Sequence, residues 1–183
     1  MNQIPNNMRS RVIYSVSAFV LAIMSVCLLA KPALSAIYPL KHEEKIKKFS
    51  DEYALDEHMV MAVISAESKF REDAVSHKGA KGLMQIKDET AIWCMEKFDI
   101  KNTDDETALN INVGCAYLRY LIDKYKGCTD TALAAYNAGE GNVSAWLTEQ
   151  GGESVVLSEI PFDETEKYVK KVNKRIKIYK FLY

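Results

Sequence analysis

The sequence predicts an all-α domain, and two observations lead to this prediction. From Lys41 to the C-terminus, apolar residues recur with helical spacing, and no convincing alternating pattern typical of a strand is found. The composition, with 48% hydrophobic and 27% charged residues, is that of an ordinary globular protein. A chain of 183 residues leaves room for one compact domain after any targeting segment.

Seven helices are predicted in this domain. Their approximate ranges are Glu43–Tyr53, Glu57–Lys69, Glu89–Phe98, Ile111–Tyr125, Asp130–Asn137, Val143–Gln150 and Asp163–Phe181. Asp56 and Asp130 precede apolar runs and suit N-cap positions. Only Glu153–Leu157 is a candidate for a short extended segment. In the last helix, the apolar side chains of Tyr168, Val169, Val172, Ile176 and Tyr179 are expected to pack on the domain, with its lysines and arginine in solvent.

The N-terminus has a composition of its own. Residues 1–11 carry Arg9 and Arg11 and no acid, residues 12–30 contain no formal charge, and small residues follow at positions 33–36. This layout is typical of a secretory signal. The alternative is a retained membrane anchor, because 19 uncharged residues can just span a hydrocarbon core of about 30 Å. We therefore expect residues 1–36 to be a signal peptide or membrane anchor and residues 37–183 to fold outside the cytoplasm.

Charge and cysteine content exclude some classes of function. The net charge of −1 argues against a broad nucleic-acid-binding surface. No Cys-x-x-Cys pair or suitably spaced histidine pair suggests a metal, so neither a metal nor another cofactor is expected. After removal of residues 1–36 three cysteines remain, and we favour a bridge between Cys94 and Cys115, since each lies in an apolar helical stretch; other pairings remain open.

Glu67 is the candidate acid. Val60, Val63, Ile64 and Glu67 share one face of the second predicted helix, so the carboxylate continues an apolar stripe and lies in the last turn. Burial and the negative end of the helix dipole both disfavour the charged form and raise the pKa. A carboxyl that keeps its proton near neutral pH is suited to general acid catalysis. On this residue alone, an ordinary glutamate at a helix end is the better interpretation.

Two further strings change that balance. Residues 76–85 form a polar, glycine-bearing segment in which the glycines permit close approach to a ligand, and Gln85 can both donate and accept hydrogen bonds, as a sugar N-acetyl group requires. Residues 135–139 place Tyr136 beside an Asn-Ala-Gly helix end, where the ring could stack on a sugar or bond near the acid.

Five strings in order resemble the soluble lytic transglycosylase family, which is related to goose-type lysozyme. They are Glu67-Ser68-x-Phe70, Gly79-Ala80-x-Gly82-Leu83-Met84-Gln85, Asn110-Ile111-Asn112-Val113-Gly114 with Tyr117-Leu118, Ala135-Tyr136-Asn137-Ala138-Gly139, and Ile160-Pro161-Phe162-x-Glu164-Thr165 with Tyr168-Val169. The resemblance covers roughly Lys41 to the C-terminus. It implies a single compact, lysozyme-like (goose-type) helical domain in the periplasm or cell envelope, anchored in the inner membrane through residues 12–30 if these are retained.

The resemblance also implies an activity. Enzymes of this family cleave the β-1,4 bond between N-acetylmuramic acid and N-acetylglucosamine in peptidoglycan and leave a 1,6-anhydro ring. Glu67 would be the single catalytic acid and base, and Ser76, Gln85, Tyr136 and Glu164 would contact the substrate. Ser68 and Asn137 would support them. Several positions depart from the pattern. Arg71-Glu72 replaces the usual Asn-Pro, His77 replaces the Pro after Ser76, Lys87 replaces an apolar residue of some members, and Glu166 stands where Arg is frequent.

Three alternatives remain open at this stage. The first is a hydrolytic muramidase on the same fold. The second is a weakly active peptidoglycan-binding component of a secretion, conjugation or pilus machine, and the third is a phage-derived lysis protein. The expected partner in each case is the peptidoglycan glycan strand.

Overall fold

A computed structural model describes residues 6–151 and 155–183. The chain divides near Pro39 into two compact units, and each is described here by itself. In the first unit, helix α1 (Asn6–Ile37) covers residues 6–36 of the predicted signal or anchor segment and contains Pro32. Within the described residues, no helix combines the length and apolar character that crossing a membrane requires.

The second unit contains the seven helices that the sequence predicts. They are α2 (Glu43–Glu52), α3 (Glu57–Glu67), α4 (Asp88–Lys97), α5 (Glu106–Lys124), α6 (Thr129–Ala138), α7 (Glu140–Glu149) and α8 (Asp163–Leu182). Helix α5 packs against α2, α4 and α6, while α2 also packs on α3 and α6 on α7. In the described part of the chain the extended pairing is limited to two isolated bridges, Val75 with Lys81 and Lys81 with Ile86.

The candidate extended segment at residues 153–157 is not confirmed. Glu153 lies outside the described residues, and residues 155–157 are bends and irregular backbone.

Helix α3 lies in the core. Six consecutive residues, Val60 to Ser65, are buried, so the helix is enclosed on all sides and not only along the predicted stripe. Its start is as predicted: the Asp56 side chain accepts a hydrogen bond from the backbone N–H of His58 at 2.9 Å. The same carboxylate pairs with Lys180 of α8 at 2.6 Å, which ties the first turn of α3 to the last turn of α8.

Four helix starts differ from the prediction, since α4 and α6 each begin one residue earlier than expected and α7 begins three residues earlier. Helix α5 begins five residues earlier than expected, because Asp105 caps it by accepting the N–H of Ala108 at 2.9 Å. The prediction of Asp130 as an N-cap is wrong, since α6 begins at Thr129 with Cys128 as the cap residue. Asp130 instead accepts a hydrogen bond from Asn173 Nδ2 at 2.8 Å.

Helix α8 packs as its apolar spacing predicts. Tyr168, Val169, Val172 and Tyr179 are buried, whereas Ile176 remains partly exposed. Its lysines are exposed as expected, although the Lys171 ammonium donates to the carbonyl of Ala66 at 3.1 Å. The expectation is wrong for Arg175, which is only partly exposed. Lys171 lies one turn after Tyr168, so it faces the same neighbours.

The expected bridge between Cys94 and Cys115 is not formed. Both are buried free thiols, and Cys128 is a free thiol as well. Burial raises the pKa of Cys94 to about 12, and it raises the pKa of Cys115 as well. The neutral thiols are therefore favoured, and a neutral thiol is a poor nucleophile for disulfide formation.

Candidate active site

One cavity of about 380 Å³ brings together most of the residues that the sequence singles out. Its walls include Glu67, Ser76, Gln85, Tyr136, Asn137 and Glu164, which come from α3, α6, α8 and the segment between α3 and α4. Cavities of about 540 and 580 Å³ elsewhere in the described residues are lined by other side chains, so volume alone does not select the site. We identify this cavity as the candidate site because polar and titratable side chains line it together with Glu67.

Glu67 is the last residue of α3. Burial raises the pKa of its carboxyl, while the Tyr168 hydroxyl and the Lys171 ammonium lower it by less. The negative end of the α3 dipole acts in the same direction as burial. The net effect agrees with the sequence-based expectation that this carboxyl holds its proton more tightly than an exposed glutamate.

Tyr168 is a neighbour of Glu67 that the sequence analysis assigned only to packing. Its hydroxyl is buried and lies close enough to Glu67 to lower the pKa of that carboxyl. Among the described residues it has no partner at regular hydrogen-bond distance and angle. The Tyr168 hydroxyl therefore interacts electrostatically with the Glu67 carboxylate. No other hydrogen bond among the described residues fixes the orientation of this hydroxyl.

Lys171 is the second neighbour that was missed. Its bond to the Ala66 carbonyl places a cation at the C-terminal end of α3, beside Glu67. Burial and the nearby Arg175 lower the pKa of Lys171, whereas Glu67 raises it. An opposite charge at this end of a helix offsets the dipole, so Lys171 favours the ionised form of Glu67.

Gln85 has its donors already occupied. Its side-chain Nε2 donates to the carbonyls of Ala74 and Gly82, each at 2.9 Å. Because both neighbours are acceptors, the NH₂ group must face them, and Oε1 is left to face a ligand. The prediction that Gln85 both donates and accepts toward a ligand is therefore wrong in its first half: Gln85 offers an acceptor alone.

Ser76 complements this arrangement. Its Oγ accepts the N–H of Ala80 at 3.0 Å within a turn that two backbone bonds also close. The hydroxyl hydrogen remains available to the cavity, since an Ser oxygen that accepts one bond can still donate. Ser76 and Gln85 together therefore present one donor and one acceptor in the same cavity.

Tyr136 lines the cavity with its ring. Its hydroxyl donates to the Met84 carbonyl at 2.8 Å, so the proton of that hydroxyl is not directed at Glu67. Burial, and after it the charge of Glu67, raise the pKa of Tyr136 well above its usual value. Tyr136 thus stays neutral and connects α6 to the segment that carries Gln85.

The remaining predicted residues have distinct places. Asn137 lines the cavity, and its Oδ1 accepts a hydrogen bond from the Thr165 hydroxyl at 2.9 Å. The amide NH₂ group of Asn137 therefore points away from Thr165. Glu164 lines the cavity from the first turn of α8 and is exposed. Ser68 is buried below the cavity wall, and its Oγ donates to the Ile64 carbonyl at 3.2 Å. Ser68 therefore supports the end of α3 without reaching the cavity.

The glycines of the predicted loop serve the fold more than a ligand. Gly82 has a φ of +76°, and a Cβ there would meet the Asn110 side chain at 2.6 Å. Asn110 in turn accepts the Met84 N–H at 2.8 Å and donates to the Lys81 carbonyl at 3.0 Å. The close approach at Gly82 is thus to Asn110, a residue of the quoted motifs to which we assigned no role, whereas a Cβ at Gly79 would meet no atom within 4 Å.

Two of the departures from the family pattern, Lys87 and Glu166, have different surroundings. Lys87 lines the cavity and is the N-cap residue of α4. Glu166 does not line it and instead pairs with Lys170 at 2.6 Å on α8. In the part of the chain that the structure describes, no group of three or more His, Cys, Asp or Glu side chains could hold a metal ion.

Known proteins resemble this chain in sequence. Residues 44–155 match the family described as Transglycosylase SLT domain. The chain belongs to this family. A relative, the soluble lytic murein transglycosylase of Escherichia coli strain K12, is 35% identical over 145 residues, which is 74% of this chain and 22% of the relative. The chain therefore spans about a fifth of the length of that relative.

Solved structures resemble the chain in fold. An inactive mutant of the lytic transglycosylase Slt from Pseudomonas aeruginosa has a TM-score of 0.72 and 31% identity, covering 92% of this chain and 29% of that one. The complex of a 70-kDa soluble lytic transglycosylase with bulgecin A also has a TM-score of 0.72, with 29% identity, and covers 93% of this chain and 29% of that one. The expected all-α, lysozyme-like fold is confirmed by these likenesses.

Proposed function

We propose that this chain is a lytic transglycosylase that cleaves peptidoglycan between N-acetylmuramic acid and N-acetylglucosamine. The observation that carries the proposal is a carboxyl group with a raised pKa, Glu67, in the cavity of a chain of the Transglycosylase SLT domain family. The relatives are named lytic murein transglycosylases, which is consistent with this substrate class.

In the first step Glu67 acts as an acid. Its carboxyl donates a proton to the oxygen that links the two sugars, and the bond from that oxygen to C1 of the muramoyl residue breaks. A raised pKa keeps the carboxyl protonated at the moment when the proton is needed. The leaving N-acetylglucosamine then carries a free hydroxyl.

In the second step Glu67 acts as a base. The carboxylate removes the proton of the C6 hydroxyl, and O6 bonds to C1 to close the 1,6-anhydro ring. Glu67 regains its proton, no water is consumed, and no second catalytic carboxylate is required, in contrast to the paired-carboxylate glycosidases. Tyr168 and Lys171 support this step, since both favour the ionised form that exists between the two proton transfers.

The other cavity residues suit binding of an N-acetyl sugar. An acetamido group has one N–H donor and one carbonyl acceptor, and Gln85 Oε1 with the Ser76 hydroxyl offers the matching pair. We place the Tyr136 ring and the exposed carboxylate of Glu164 along the path of the sugar chain. Asn137 and Ser68 are positioning residues in this proposal.

Digestion of purified sacculi tests the reaction. We expect fragments that end in 1,6-anhydro-N-acetylmuramic acid, identified by their mass, which is one water lower than that of hydrolysis products. Reducing ends alone would show that the chain is a hydrolytic muramidase. The variant Glu67→Gln should reduce the rate by a factor of about 10² to 10⁴, the usual contribution of a general acid. Undiminished cleavage by Glu67→Gln would refute the role of Glu67, whereas binding of sacculi without cleavage by the wild type would favour a binding or scaffold function.

We further propose that residues 37–183 act in the cell envelope, where peptidoglycan lies. The support is the basic and then apolar composition of residues 1–36. Mass spectrometry of the protein expressed in a bacterial host tests this, because removal of the segment gives a chain that begins near residue 37. A full-length mass in the membrane fraction would favour the anchor, and a full-length mass in the cytoplasm would refute export. A partner machine in the envelope remains a prediction.

A further inference from the structure

A group of aromatic side chains continues from the cavity onto the surface of α4 and α5. The Tyr136 ring in the cavity wall lies 5.5 Å, centroid to centroid, from Tyr117. Tyr117 is followed by Trp93 at 6.3 Å and Tyr120 at 6.4 Å, and the last two are 4.8 Å apart. We call Trp93 and Tyr120, which do not line the cavity, the aromatic surface; Tyr117 lines the cavity and connects it to the aromatic surface.

Helical spacing explains why these rings lead away from the cavity. Glu89 and Thr90 line the cavity from the first turn of α4, and Trp93 lies one turn further along the same face. On α5, Tyr117 lines the cavity and Tyr120 lies one turn beyond it. The aromatic side chains of the two neighbouring helices α4 and α5 therefore continue from the cavity onto the surface beside it.

Exposure distinguishes Trp93 from a core residue. The chain has 2 tryptophans, and they have different environments. Trp146 is 5% exposed and packs against Phe162 at 4.8 Å. Trp93 is 37% exposed, although its ring contacts other aromatic rings. A large indole left partly in water next to a cavity is more typical of a binding surface than of packing alone.

Charge gives the aromatic surface a second property. The Lys97 ammonium lies 5.3 Å from the Trp93 ring centre and 5.4 Å from that of Tyr120. Lys124 also adjoins Tyr120 and pairs with Glu140. Within the described part of the chain, Lys97 has no carboxylate partner at ion-pair distance. A cation beside stacked rings suits a ligand that has both an apolar face and an anionic group.

We propose that the aromatic surface binds sugar rings and acidic stem peptides of the glycan strand outside the catalytic cavity. This inference rests on the proposed function and deepens it. The C–H face of a pyranose ring is apolar and stacks on the negative face of an aromatic ring, and Trp offers the largest such face. Lys97 would attract the carboxylates of the lactyl groups and stem peptides that occur along peptidoglycan but not along chitin.

Intrinsic fluorescence tests direct contact with Trp93. In the Glu67→Gln background, long glycan strands should change the emission of the exposed Trp93 and protect it from acrylamide. The additional substitution Trp93→Phe should abolish the response, and Trp146→Phe should leave it intact. Co-sedimentation with sacculi measures binding independently. Binding without any change in Trp93 emission would overturn the inference.

The dependence of cleavage on strand length tests function. For the wild type, kcat/KM should rise as glycan fragments become long enough to reach Trp93. In Trp93→Ala this gain should fall about two- to tenfold, the usual value of one aromatic contact, while the shortest cleaved fragment should be cut at the wild-type rate. Ile92→Ala is the matched control, because Ile92 is an exposed apolar residue, 59% accessible, on the same helix.

Different results would refute the proposed function and the binding role of the aromatic surface. If the wild type releases no glycan fragments from sacculi, the proposed function itself is wrong. If the wild type cuts and Trp93→Ala retains the full gain with length, the catalytic proposal stands and the aromatic surface is only part of the domain packing. Chitin oligosaccharides of equal length separate the two parts of the binding: Lys97→Met should affect peptidoglycan fragments alone, and equal loss on both substrates would refute recognition of the anionic groups.

Discussion

The raised pKa of Glu67 has a consequence for stability as well as for catalysis. In the unfolded chain this carboxyl is exposed and has its ordinary pKa of 4.5, while burial raises the pKa in the folded state. The folded state therefore binds the proton more tightly than the unfolded state does, so ionisation of Glu67 lowers the free energy of unfolding. Glu67→Gln removes the ionisation and keeps the shape of the side chain. We expect the variant to cleave about 10²- to 10⁴-fold more slowly than the wild type and to be more stable at neutral pH.

The size of the stability gain in Glu67→Gln follows from opposing contributions to the pKa of Glu67 at the end of α3. Burial disfavours the carboxylate, and Tyr168 and Lys171 recover part of that cost. Each pKa unit that remains is worth about 1.4 kcal/mol once the pH exceeds both pKa values. We expect a gain of about 0.5–2 kcal/mol, the usual range for one stabilising substitution. For a domain of this size this corresponds to a rise in Tm of about 2–6 °C.

The gain in stability of Glu67→Gln over the wild type should increase with pH. Below about pH 4.5 the carboxyl is protonated in both states and the wild type keeps its full stability, so the two proteins should unfold alike. As the pH rises through the folded-state pKa, the wild type loses stability relative to Glu67→Gln. Thermal unfolding followed by circular dichroism between about pH 4 and 8 measures this difference.

Glu149→Gln provides a matched control. Glu149 is the last residue of α7, as Glu67 is of α3, but it is exposed. It therefore has the same position relative to a helix dipole without the burial, and its substitution should change stability by less than about 0.5 kcal/mol. A Glu67→Gln variant that is less stable than the wild type at pH 7, or a gain that is constant across the pH range, would refute the physical argument for Glu67.

Two further substitutions follow from the contacts around the site. Tyr168→Phe removes a hydroxyl that lowers the pKa of Glu67. The pH at which kcat/KM declines on the alkaline side should therefore rise, with little loss of stability. An unchanged pH profile of kcat/KM would show that Tyr168 only packs. Gly114→Ala would place a Cβ 2.3 Å from Met84 Sδ and should cost about 1–3 kcal/mol in urea unfolding, whereas Gly141→Ala, with no atom within 4 Å, should not destabilise.

The helices and the burial of Glu67 could be predicted because their signals are local. Helical spacing gave all seven helices of the second unit, and the stripe of α3 placed Glu67 among buried residues. The errors lie at helix starts, where one side-chain contact decides the outcome. Asp105 adds five residues to α5 by capping Ala108, and its sequence neighbours do not reveal that it, rather than Asp104, makes the contact.

The surroundings of the acid could not be predicted, because they depend on residues far apart in the sequence. Tyr168 and Lys171 follow Glu67 by about a hundred positions, and their helical pattern shows only that one face packs and the other is charged. Gln85 illustrates the same limit. Its residue type permits donation and acceptance, but the carbonyls of Ala74 and Gly82 use both of its donors.

The arrangement around Glu67 answers a requirement that one-carboxyl chemistry imposes. A group that first gives and then takes a proton cannot be tuned only for its protonated form, since full burial without compensation would make the intermediate carboxylate too costly. Burial favours the protonated form of Glu67, and Tyr168 and Lys171 stabilise its carboxylate form. Neither forms an ion pair tight enough to hold the carboxyl permanently ionised. In the two-carboxylate glycosidases these opposing needs are divided between two residues. In the proposed mechanism they meet at Glu67, and the buried hydroxyl and the cation behind it allow both forms to exist in one catalytic cycle.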